Sequence, residues 1–82
     1  MEAKELEALL ESCLREYGEK NPNGLGLYFE ELRKEVERRT PDRGKLSPEK
    51  FSYVFSSLVN QGKLIFFGAI KRGLFTIRLR EP

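Results

Sequence analysis

The chain has 82 residues, 39% of them hydrophobic and 34% charged, with a formal net charge of +2. That length suits one small domain, and that balance excludes both a disordered chain and a long bilayer-spanning segment. One cysteine and no histidine exclude an internal disulfide, single-chain zinc ligation of the usual kinds, and Ser-His-Asp or Cys-His catalysis.

The first predicted element is an amphipathic helix over about residues 3–17, with Leu6, Leu9, Leu10, Cys13, Leu14 and Tyr17 at three- and four-residue spacing. Gly18 is its expected stop, and Asn21-Pro22-Asn23-Gly24 reads as a turn. Leu25 to Leu27 is expected to be a short extended piece, a third strand beside a later hairpin. A second helix is predicted over about residues 29–39, where Phe29, Leu32 and Val36 share a face. Glu30 and Glu31 in its first turn and Arg38 and Arg39 in its last suit the helix dipole. Thr40-Pro41 ends it, because a residue before proline avoids helical geometry.

The third helix has the clearest start. Ser47 can cap it, Pro48 suits the first helical position, and Leu46 with Phe51 forms a hydrophobic staple. It is predicted over about residues 48–61, with Phe51, Val54, Phe55 and Leu58 buried and Gly62 as the stop. The period then changes. Lys63 to Phe67 is β-prone, and Leu74 to Arg80 alternates apolar Phe75, Ile77 and Leu79 with Thr76, Arg78 and Arg80. A hairpin over about residues 63–80 follows, with Lys71 and Arg72 at its tip.

This order of helix, short strand, two helices, strand, wing and strand resembles the winged-helix family. The likeness is strongest from Tyr28 to Leu79, and its hallmark is Leu58-Val59-Asn60-Gln61-Gly62-Lys63-Leu64-Ile65 running into a hairpin. The resemblance implies a single α+β domain over residues 1–82: a three-helix core closed by a small antiparallel sheet. The segment between the second and third helices is longer than a compact helix-turn-helix linker.

Charge is unevenly spread. Residues 1–40 hold seven basic and ten acidic side chains, whereas residues 61–82 hold five and one. This asymmetry points to an anionic partner for the C-terminal end. In DNA-binding members of the family the third helix enters the major groove and the wing touches the backbone. By that resemblance Lys50, Tyr53 and Ser57 are candidate contacts on the third helix, beside Glu49, Ser56 and Asn60. Lys71, Arg72 and Arg78 are candidates on the wing, with Arg43 and Lys45 in the loop before the third helix and Lys63 opposite the last strand. Phosphate contacts from such side chains would give salt-dependent, sequence-tolerant binding.

The expected activity is therefore nucleic-acid binding, to double-stranded DNA with weak sequence specificity, in transcription regulation or DNA maintenance. The alternative is a protein-interaction winged helix or a regulatory subunit of a larger complex. Glu49, the serine-rich face of the third helix, and apolar Ile70 and Leu74 suit that reading. A homodimer is a secondary expectation, because Phe66 or Phe67 and Leu74 require cover. Cys13 lies on an apolar stripe and reads as a buried structural thiol. No catalytic set, metal site or cofactor motif is expected. The polar, acidic start Met1-Glu2-Ala3-Lys4-Glu5 does not read as a secretory signal, which leads to an expected cytoplasmic location with no membrane partner.

Overall fold

A computed structural model describes residues 2–40 and 46–80. In chain order the elements are α1 (Ala3–Lys20), β1 (Leu27–Tyr28), α2 (Phe29–Arg39), α3 (Pro48–Asn60), β2 (Leu64–Ala69), a 3-10 turn (Ile70–Arg72) and β3 (Leu74–Leu79). The three strands form one antiparallel sheet in the order β1-β3-β2. The fold is α+β. No helix among the described residues is long and apolar enough to cross a membrane.

The first helix runs past its expected stop. It passes through Gly18 to Lys20, because a mid-helix glycine costs only about 1 kcal/mol and its last carbonyls find partners. The backbone N–H and the side-chain amide of Asn21 both donate to the Tyr17 carbonyl, at 2.9 and 3.1 Å. The short strand is also displaced. It begins at Leu27 rather than Leu25, because Gly26 sits at φ +115° with its backbone against β3. A Cβ there would lie 2.3 Å from the Ile77 carbonyl oxygen, so only glycine passes this point.

The second helix keeps its expected bounds, and the carboxylate of Glu31 accepts from the Tyr28 N–H at 3.1 Å. The third starts at the Ser47 cap, whose hydroxyl accepts from the Lys50 N–H at 3.3 Å. Its end is a Schellman turn. Gly62, at φ +70°, donates to Val59 and Lys63 donates to Leu58. That turn points the chain straight into β2.

Leu6, Leu10, Cys13 and Leu14 of α1 pack with Leu32 and Val36 of α2 and with Phe51, Val54 and Leu58 of α3. Ile77 and Leu79 close this core from the sheet. The pleat sorts the sheet residues by parity. Leu64, Phe66, Phe75, Ile77 and Leu79 face the helices, while Ile65, Phe67, Leu74, Thr76 and Tyr28 share the outer face, as the register requires. On that outer face Leu74 is 63%, Tyr28 53% and Phe67 37% exposed, while Thr76 between them is buried.

Candidate nucleic-acid interface

β2 and β3 pair continuously from Leu64 opposite Leu79 to Ala69 opposite Leu74, so the 3-10 turn forms the far end of a regular hairpin. Lys71 and Arg72 lie adjacent in that turn, and both are exposed. A sharper sequence signal than the net charge of the last quarter surrounds them. From Lys50 to Arg80 there is no aspartate or glutamate, and six lysines and arginines. Arg80, just beyond β3, is exposed as well, and its N–H extends the ladder to the Lys63 carbonyl at 2.7 Å.

Lys63 itself is not available to an anion. Its ammonium binds the Glu11 carboxylate at 2.9 Å with Glu7 at 4.0 Å. The hydrogen bond to Glu11 raises its pKa above the ordinary lysine value. Acidic α1 thus touches the base of the hairpin and cancels the cation there.

Arg78 has a different occupation from the one expected. Its guanidinium donates to the carbonyls of Gly24 at 2.5 Å, Asn21 at 3.0 Å, Pro22 at 3.3 Å and Gly18 at 3.4 Å. These bonds tie the end of α1 and the following loop to β3. They use the planar fork that a phosphate would need, so Arg78 is a structural clamp. It also stands four strand positions from the tip, about 13 Å from Leu74, and so does not join Lys71 and Arg72.

On α3, Tyr53 is the most exposed candidate, with 70% of its surface free. Ser57 is half-buried and its hydroxyl accepts from the Gln61 amide at 3.0 Å. The same amide donates to Glu7 of α1 at 3.1 Å. Ser57 is therefore held beside a carboxylate, where a phosphate would be repelled, and this removes it from the expected reading face. Lys50 lies half-buried in the first turn next to exposed Glu49, so the helix carries no net charge. The contact between α3 and the hairpin is internal, Phe55 against Phe66 with ring centroids 6.1 Å apart. The expected loop contacts Arg43 and Lys45 lie outside the described residues.

The carboxylates of the helical half are largely paired. Arg33 joins Glu30 and Glu37 at 2.8 and 2.7 Å, and Arg39 links Glu35 of α2 to Glu16 of α1. Hydrogen bonds from Arg38 and then Arg39 pull the Glu35 carboxyl down to about 2. Burial pushes the Cys13 thiol up, which disfavours the nucleophilic thiolate. The groove between α1 and α2, about 460 Å³ and lined by Tyr17, Lys20, Glu31, Lys34 and Arg38 among others, mixes both signs of charge. The sites of one sign are at the hairpin.

No family model matches the chain, and neither a curated protein nor a solved structure does.

Proposed function

We propose that the chain is a winged-helix module that binds double-stranded DNA through its wing, with little discrimination between sequences. The element order and the small antiparallel sheet beneath three helices are compatible with that layout. One observation carries the functional reading. An exposed Lys71–Arg72 pair caps a hairpin that lies within a run free of carboxylates. Cations with no neighbouring acids attract phosphates, and phosphate contacts position a protein without reading bases. The neutral face of α3 supports weak specificity for the same reason.

Fluorescence anisotropy with a labelled duplex, repeated across salt concentrations, tests this. Lys71→Ala with Arg72→Ala should weaken binding to all duplexes alike. It should flatten the slope of log affinity against log salt by about 1.8, from two lost phosphate contacts. An unchanged slope, or no binding at low salt, refutes it.

A second reading, a protein-binding adaptor, is favoured by α3, where exposed Tyr53 stands on a helix lacking arginine. A stoichiometric protein partner that survives nuclease treatment and is lost on Tyr53→Ala would mark that role.

A further inference from the structure

Of the nine aromatic side chains, five form one network and two share the outer face of the sheet. Phe29, Phe51, Phe55, Phe66 and Phe75 form an internal network with centroids 5.1 to 6.4 Å apart. Every ring–ring contact among the described residues lies within that set. Tyr28 and Phe67 stand outside it, exposed on the opposite face of the sheet. Both pair with the same residue, Thr76, from its two sides. They therefore form one row across three strands, with backbones two strand spacings, or about 10 Å, apart. At that distance the rings do not cover each other. The Thr76 hydroxyl between them is already committed, donating to the Leu25 carbonyl at 2.7 Å.

From these features we propose that the outer sheet face is a stacking platform for single-stranded DNA, with Tyr28 and Phe67 each taking a base. Arg80 at one end of β3 and the Lys71–Arg72 turn at the other hold the phosphates. The proposal rests on the nucleic-acid reading above but uses a different surface and a different form of the ligand. Separated aromatic faces between cations are the arrangement that binds single strands with little sequence preference. Phe67 and these cations lie within the carboxylate-free run from Lys50 to Arg80, which supplies the charge complementarity, while Tyr28 at the other end of the row has Glu31 beside it.

A second copy fits this face poorly. β2 and β3 pair over six positions, which makes a face of about 20 by 15 Å, or roughly 300 Å². A stable dimer needs about 800 Å² from each partner. DNA is favoured over RNA because the row offers apolar contact suited to a thymine methyl.

The chain has no tryptophan, so Phe67→Trp places a single indole in the row. Oligothymidylate should quench its fluorescence and leave that of Tyr53→Trp on α3 unchanged. Phe67→Ala and Tyr28→Ala should each weaken oligothymidylate binding about tenfold, with duplex binding unaffected and oligouridylate bound more weakly. The tryptophan variant keeps a ring in place, so the quenching readout survives if an alanine variant folds poorly. Binding without quenching, tighter binding of RNA, or a dimer that Phe67→Ala dissociates in the ultracentrifuge would overturn the proposal. Duplex binding without single-strand binding refutes the platform and leaves the wing reading standing. Quenching by the single strand without duplex binding does the reverse.

Discussion

The helical half and the hairpin handle charge in opposite ways. In α1 and α2 nearly every arginine meets a glutamate, often three or four residues away on the same helix. Such pairs are each worth a few tenths of a kcal/mol, and residues 1–40 still hold three more acids than bases. The hairpin has cations and no acids of its own. Among the described residues, the ion pairs between the halves lie at Lys63, which α1 neutralises. A residue's charge therefore says less about partners than whether the fold has already answered it. Arg78 makes the same point with neutral partners.

The contrast between the halves can be broken at their shared core. Ile77 is fully buried and lies opposite Leu27 and Phe66. Ile77→Ala should destabilise the protein by about 2–5 kcal/mol in denaturant titrations. If the halves are one cooperative unit, helix circular dichroism and the indole fluorescence of a Phe67→Trp reporter on β2 will shift together. Separate transitions would show that the hairpin folds apart from the helices.

A smaller effect sharpens the assignment of Arg78. Arg78→Met removes the bonds to four carbonyls and should cost about 2 kcal/mol. Amide exchange should quicken first around Asn21 to Gly24. Duplex affinity should fall far less than with the Lys71 and Arg72 substitutions. An equal loss of affinity would return Arg78 to the interface.

The smallest expected effect concerns acid. The Glu35 carboxyl is held at about 2, below its ordinary value of 4.5. A carboxyl depressed in the folded state stabilises it fully above the unfolded value and loses that contribution as pH falls through the folded one. Stability should thus decline between about pH 4.5 and 2, and Glu35→Gln should flatten part of that decline. Denaturation midpoints across this range provide the check.

Much of this architecture is legible in the sequence because its signals are local. The Ser47-Pro48 start, the Thr40-Pro41 boundary of α2 and the Gly62 stop each act within a few residues. So does the alternation that puts Phe75, Ile77 and Leu79 on one face. What escapes such reading depends on chain passing close by from elsewhere. Alternation places Arg78 on the polar side of β3. It does not reveal that the end of α1 and the loop after it, 54 to 60 residues earlier, lay four carbonyls against the guanidinium. Ser57 sits on the correct helix face for a reader, yet Gln61 and distant Glu7 claim its surroundings. The displaced β1 follows from Gly26 meeting Ile77, again a contact between remote segments. The exposed row of Tyr28 and Phe67 needs the sheet order β1-β3-β2 before the two rings can be seen to be neighbours.

The edge position of β2 bears on how this protein behaves in concentrated solution. Its six residues, Leu64–Ala69, contain no charge, and one side of their backbone lies at the margin of the sheet. Bare apolar edges template strand addition between molecules, and flanking charges are the usual guard. Lys63 guards one end but is already neutralised by α1, which leaves Lys71 as the effective sentinel at the other. The lysine that touches phosphate in the proposed complex would then also keep the free protein from polymerising. Its removal should lower solubility as well as affinity.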